Sequence, residues 1–240
     1  MTKAQNLAEK MHMQPSSEQR YGGEPYTKHL KDVRANIEKY IHLIPSDQRI
    51  NVIDAGDLHD IVEDTEMTPR KLANEFNVTV AQIVTNVSNV RELDKIKETL
   101  ITLSNIRGCI LSTYVKICDR MANGLNSKIN EDPKANRMFD KYQKSYPTFR
   151  YALKDGNIFE EMWKDLDAIF EYIEPAVATS EILRLQQSLI EMLFHHENDT
   201  ALPLVEKFLE SEVGYKKYVM KRHHLPKGSN VAKFIIEYVL

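Results

Sequence analysis

The sequence predicts an all-α fold. Apolar residues recur at helical spacing almost throughout, strand-type alternation is nearly absent, and only 8 glycines interrupt 240 residues. Leu30, Val33, Ile37, Tyr40, Ile41 and Ile44 place one apolar stripe on a helix that Pro45-Ser46-Asp47 then breaks. A second helix is predicted from about Arg49 to Val62. Thr68 and Pro69 form an N-cap and first-turn pair that opens a short helix carrying Leu72 and Phe76, and Thr79 is expected to cap the next one. Further helices are predicted over 94–106, 108–127, 134–153 and 157–173, with Gly156-Asn157 separating the last two. The 157–173 segment carries an apolar series that includes Phe159, Met162, Trp163, Leu166 and Phe170. Glu174-Pro175 interrupts the pattern, and 179–195, 201–212 and 229–239 have the spacing of three more helices. The expected organisation is one domain over 1–175 followed by a C-terminal helical extension over 176–240.

Composition narrows the function. Hydrophobic residues at 42% and charged residues at 28% are the balance of an ordinary globular protein. A net charge of −3 argues against coating nucleic acid, which demands a basic surface, so any phosphate-rich ligand must be held by a few placed cations or by a metal. No apolar run approaches the roughly 20 residues of a membrane span, and MTKAQNLAEKMHMQ lacks the apolar stretch of a secretory signal, so a cytoplasmic location is expected. Cys109 and Cys118 lie in an apolar helix-like run and are read as small core residues in a reducing compartment. The basic stretch Lys216, Lys217, Lys221 and Arg222, with His223 and His224 after it, is read as a solvated helix face rather than a nucleic-acid surface.

Chemistry concentrates in AGDLHDIVEDT, Ala55 to Thr65, where His59 and Asp60 are adjacent on a predicted helix. Such a pair alone is more often a buried histidine satisfied by its neighbours. Two further residues could complete a metal site. His29 opens the helix after GEPYT, and Asp119 sits in VKICDRMAN, an otherwise apolar run where an unpaired carboxylate would cost several kcal/mol. Two imidazoles and two carboxylates make a mixed nitrogen and oxygen site that suits manganese, with iron, zinc or magnesium as substitutes.

The order His, then His-Asp, then Asp is also the signature of the HD hydrolase superfamily, which this sequence resembles. Within it, RYGGEPYTKH from Arg20 to His29 is similar to the R-K-S-G-E-P-Y-I-x-H pattern of RelA/SpoT-like alarmone hydrolases. HDIVEDT is similar to their H-D-V-V-E-D-T block, and VKICDRMAN to their I-K-L-A-D-R-L-H-N. LANEFNVTVAQIVTNV, Leu72 to Val87, resembles the helix pair between these blocks, and the likeness runs over roughly 4–170. It implies an HD-domain helical bundle that removes pyrophosphate from the 3′ position of guanosine tetraphosphate.

Role by role, the resemblance implies that His29, His59, Asp60 and Asp119 are metal ligands. Glu63 and Asp64, four residues beyond His59 and Asp60, match the acidic pair that orients and deprotonates the attacking water. Arg20, Asn123, Arg137 and Tyr142 match positions that border the nucleotide. Arg20 suits bidentate phosphate binding, whereas Tyr142 is read equally as a stacking residue and as core. Tyr21 stands where the family has lysine, Leu30 where it has proline and Ala122 where it has histidine. These departures leave base and phosphate preference open: an adenosine alarmone, a deoxynucleotide or a nicotinamide dinucleotide phosphate is the rival substrate, and nucleotide binding without turnover is a further alternative. Because no synthetase domain fits after 175, a free-standing small hydrolase is expected.

Overall fold

A computed structural model describes residues 1–13, 20–21, 24–89, 95–129 and 133–173. The extension, with its three expected helices and basic stretch, lies outside the described residues. Helix α1, Lys3–His12, has no counterpart in the apolar pattern and is opened by a capping box. Thr2 Oγ1 accepts from the Gln5 amide at 3.2 Å, and Gln5 Oε1 accepts from the Thr2 amide at 2.9 Å. Two short antiparallel strands, β1 (Arg20–Tyr21) and β2 (Glu24–Pro25), lead into α2, Thr27–Tyr40. All other regular structure among the described residues is helical.

The helix predicted from Arg49 to Val62 is broken in two. Helix α3, Arg49–Asp57, ends at Leu58 (φ −112°, ψ 4°), and α4, Ile61–Asp64, starts after Asp60 (φ −100°, ψ 0°). His59 and Asp60 therefore lie in the turn between them. On a continuous helix neighbouring side chains diverge by about 100°; the bend brings this pair together. Thr68 caps α5, Pro69–Glu75, as expected, its hydroxyl accepting from the Lys71 amide at 3.3 Å. Helix α6, Val78–Val87, is capped by Asn77 rather than Thr79: Asn77 Oδ1 accepts from the Val80 amide at 2.9 Å, leaving Thr79 inside the first turn. Asparagine ranks among the best N-caps, and here it precedes threonine.

Helices α7 (Lys95–Arg107), α8 (Ile110–Ile129) and α9 (Pro133–Leu153) lie within one to two residues of their expected positions. Helix α10 covers only Glu160–Ile169 of the expected 157–173. Phe159 (φ 58°) and Glu171 (φ 54°) adopt left-handed backbone at either end and stop it. Phe159 is nonetheless buried, its ring 5.4 Å from that of Tyr114.

Helix α8 is the axis of the bundle, packed against α2, α3, α6, α7, α9 and α10. Val115, Ile117, Cys118, Met121 and Ala122 are all buried on one broad apolar face, and Ser112, Thr113, Asp119 and Ser127 are buried beside it. Tyr114 donates its hydroxyl to the Ile37 carbonyl at 2.7 Å, tying α8 to α2. Trp163, Tyr146 and Phe170 fill the far end of the core, where Arg150 and Tyr146 both bond Asp167. Both cysteines are free; Cys118 is buried and Cys109 half-buried.

Candidate metal centre

Three chain segments bring the donor set together: the first turn of α2, the α3–α4 turn and the middle of α8. His29 Nε2 lies 3.1 Å from His59 Nε2 and 3.4 Å from Asp119 Oδ1. His59 Nε2 is 3.6 Å from the same oxygen. These three ligand atoms lie within 4.8 Å of one another, and all three residues are buried. Asp60 Oδ2 joins them, 2.9 Å from His59 Nε2 and 3.8 Å from His29 Nε2.

The arrangement fits a divalent cation. Donors about 2.0–2.1 Å from a metal lie about 2.8–3.4 Å from each other in octahedral or tetrahedral geometry, close to the separations seen here. The tautomer also fits: His59 Nδ1 donates to the Gly56 carbonyl at 2.9 Å, which turns the lone pair of Nε2 toward the other donors. Charge gives the third argument. Burial opposes ionisation of Asp119, but Lys116 and the two imidazoles outweigh it and hold the carboxyl well below its ordinary value. Asp60 is likewise lowered, against its burial, chiefly by His59. Burial lowers His59 in turn, yet Asp60 and Asp119 together push it up to about 9. Two carboxylates, Asp119 buried and Asp60 half-buried, thus keep their negative charge at this site, which suits a divalent ion.

A further set of contacts orients these groups. Tyr26, just before α2, donates its hydroxyl to Asp60 Oδ2. Lys116 Nζ is 2.9 Å from Asp119 Oδ2, and Asn123 Nδ2 donates to Asp119 Oδ1 at 2.5 Å. Asn89 holds Glu63 at both oxygens: the Asn89 amide donates to Oε2 at 3.0 Å and Asn89 Nδ2 to Oε1 at 2.7 Å. Asp64 is exposed one turn beyond Asp60, its amide donating to the Asp60 carbonyl at 2.9 Å.

A cleft of about 650 Å³ opens in front of the donors, lined by Asp60, Glu63 and Asp64 on one wall and by α7, α8 and α9 on the other. That volume lies within the usual range for small-molecule sites. The residues expected beside the nucleotide are unevenly placed. Asn123 and Tyr142 line the cleft, and Tyr142 bonds Asn123 Oδ1 at 3.4 Å. Arg137 is exposed on α9 outside the lining, and only the backbone of Arg20 is described. Tyr26, Lys116, Arg120 and Asn89 belong to the site without having been singled out in the sequence. Lys116, three residues before Asp119 on a helix, was the one with a visible signal.

Residues 4–147 match the family described as HD domain, and the chain belongs to that family. Membership implies divalent-metal binding, which agrees with the donor set. Among its relatives is a protein of Haemophilus influenzae named guanosine-3′,5′-bis(diphosphate) 3′-pyrophosphohydrolase, 34% identical over 111 residues. A GTP pyrophosphokinase rsh of Brucella ovis is 24% identical over 166 residues. The matches take in 43% and 66% of this chain but only 16% and 21% of those longer proteins. A solved structure, described as a metazoan ortholog of SpoT that hydrolyzes ppGpp and plays a role in starvation responses, shares the fold. Its TM-score is 0.57 at 21% identity, covering 70% of this chain and 92% of that one. Among the described residues no helix is long and apolar enough to cross a membrane.

Proposed function

We propose that this chain is a manganese-dependent hydrolase of guanosine alarmones, releasing pyrophosphate from the 3′ position. One observation carries the reading: two imidazoles and two carboxylates converge at the floor of a nucleotide-sized cleft that Glu63 and Asp64 also line. A cation held by His29, His59, Asp60 and Asp119 would acidify a water molecule and offset charge on phosphoryl oxygens.

The protein's own groups do the rest. Asn89 presents Glu63 in one orientation, ready to accept a hydrogen bond from the attacking water. Asp64, open to the cleft, takes that water's proton as the oxygen bonds to phosphorus. The bond from phosphorus to the 3′ oxygen breaks, and that oxygen leaves as a hydroxyl by taking a proton from water in the open cleft. The products are pyrophosphate and guanosine di- or triphosphate. Arg20, Asn123, Arg137 and Tyr142 are assigned to the nucleotide.

The test is a panel of ppGpp, an adenosine alarmone, deoxynucleotides and a nicotinamide dinucleotide phosphate, incubated with manganese-loaded protein while pyrophosphate and single phosphate are measured separately. Pyrophosphate from the guanosine alarmone is expected, and Asp64→Asn should slow its release by a factor of roughly 10² to 10⁴ with metal content unchanged. Release of single phosphates alone would refute the assignment, and tight binding without turnover would favour a regulator.

A further inference from the structure

Among the described residues, the α8–α9 wall of the cleft holds four cations, and their circumstances differ. Lys116 is engaged by Asp119 at 2.9 Å with its side chain 14% exposed. Lys134 and Lys141 are exposed on α9, flexible point charges at the edge of the cleft. Arg120 is half-buried on α8 and is held in place by rings. Its guanidinium carbon lies 4.8 Å from the centroid of Tyr142 and 4.6 Å from that of Phe149, two aromatics seven residues apart on α9.

Stacking of this kind occupies the faces of a guanidinium and leaves its in-plane donors available. Arg120 has five such donors, yet among the described residues its one polar contact is Nη1 to Ser145 Oγ at 3.5 Å, the outer limit of a hydrogen bond. Among the described residues it has no carboxylate within ion-pairing distance. A half-buried, permanently charged group without a counter-ion is costly unless an anion meets it. Arg120, Tyr142, Ser145 and Phe149 all line the same cleft as the metal donors, so that anion would come from the cleft.

We propose that Arg120 is a phosphate-binding residue of the cleft, its guanidinium clamped by Tyr142 and Phe149 so that the donor edge meets a phosphoryl group of the bound nucleotide. The assignment rests on the reading of the site as one for a phosphorylated substrate. Tyr142 then also serves the nucleotide through Arg120, whose guanidinium lies against its ring. Ordering is complete before the ligand arrives, so little rotamer entropy is lost on binding.

The experiment titrates inorganic pyrophosphate into the manganese-loaded full chain by calorimetry, with metal content and thermal midpoint measured for every variant. Arg120→Gln removes the donor edge. Ser145→Asp leaves Arg120 and its rings in place but sets a carboxylate against the guanidinium from an exposed position, so it stays informative if the first variant does not fold. Both are expected to bind pyrophosphate about tenfold to a hundredfold more weakly, the worth of one charge-assisted contact, with metal content unchanged. Wild-type affinity in either folded variant, or a wild-type protein that does not bind pyrophosphate, would overturn the assignment. The outcomes separate from those of the proposed reaction. Turnover of ppGpp with unweakened variants removes only Arg120, whereas an intact ppGpp with weakened variants removes only the substrate.

Discussion

Replacing Gly56 by alanine tests the packing that places the metal centre. Gly56 lies in α3 where it crosses α2, and its carbonyl receives His59 Nδ1. A Cβ at that position would sit 2.0 Å from Ile37 Cδ1, 3.5 Å from Ile37 Cγ1 and 3.9 Å from Val33 Cγ1. Only the first separation is impossible, and it involves the tip of a side chain in a fully buried site. Overpacking a core costs about 1–3 kcal/mol and this clash belongs at the upper end, while alanine in a helix recovers about 1 kcal/mol relative to glycine. The net loss expected for Gly56→Ala is therefore about 2 kcal/mol.

Ile37→Val alone removes Cδ1 and should cost about 1 kcal/mol. Together the two changes exchange one methyl for another in the same space, so the double variant should lie near wild type, a coupling of about 3 kcal/mol. In thermal unfolding, at about 2–4 °C per kcal/mol for a chain of this size, Gly56→Ala should melt about 4–8 °C lower and the pair within a few degrees of wild type. Additive losses, or a Gly56→Ala protein as stable as wild type, would refute the close approach of α2 and α3.

Other perturbations follow the same logic. Arg34→Met leaves Asp57, 2% exposed and paired with Arg34 Nη1 at 2.6 Å, without its cation, and should cost about 3–5 kcal/mol in denaturant unfolding. Stripping the cation with a chelator should lower the melting temperature; metal at 100 times its dissociation constant contributes about 2.7 kcal/mol, and an unchanged midpoint would count against the site. Asp165 is held below its ordinary pKa by hydrogen bonds from Lys39 and Tyr40, so its contribution is present above about pH 4 and lost as the pH falls through the lowered value. Because Asp165 is 48% exposed, screening keeps that contribution below about 1 kcal/mol. Wild type should therefore melt slightly above Asp165→Asn at pH 7, and the gap should shrink as the pH falls below about 4.

Helices were legible wherever an apolar stripe met a strong stop signal, as at Pro45, Pro69 and Gly156. Helix α1 was not, since its buried positions, Ala4, Ala8 and His12, carry little hydrophobic contrast. Its capping box, Thr2 with Gln5, was the available signal. The break at Leu58–Asp60 has no proline or glycine within it and answers to tertiary demand. At the site, Asp119 could be found because a carboxylate in an apolar helix requires a partner, and His29 because it opens a helix after GEPYT in the order of the family's motif. Asn89 could not, because it meets Glu63 from 26 residues away in a pairing that only the α4–α6 packing creates. Arg120 was hidden for the same reason, its surroundings being the face that α9 turns to α8.

The placement of Arg120 beside Asp119 has a mechanical consequence. On α8, Lys116, Asp119, Arg120 and Asn123 follow at i, i+3, i+4 and i+7, so one rigid helix supplies a metal ligand, its charge partner, its hydrogen-bond donor and the proposed phosphate contact. No loop intervenes between metal end and phosphate end, and the spacing between them is set by backbone hydrogen bonds. Gly124, at the next position, lies against the end of α10: a Cβ there would lie 2.7 Å from Ile169 Cγ2 and 2.8 Å from Phe170 Cζ. Helix α10 thus grips α8 beside its functional face, and the two ends of the site keep their separation only while that grip holds. Enlarging Gly124 should accordingly disturb metal affinity and pyrophosphate affinity together, whereas Arg120→Gln should disturb only the second.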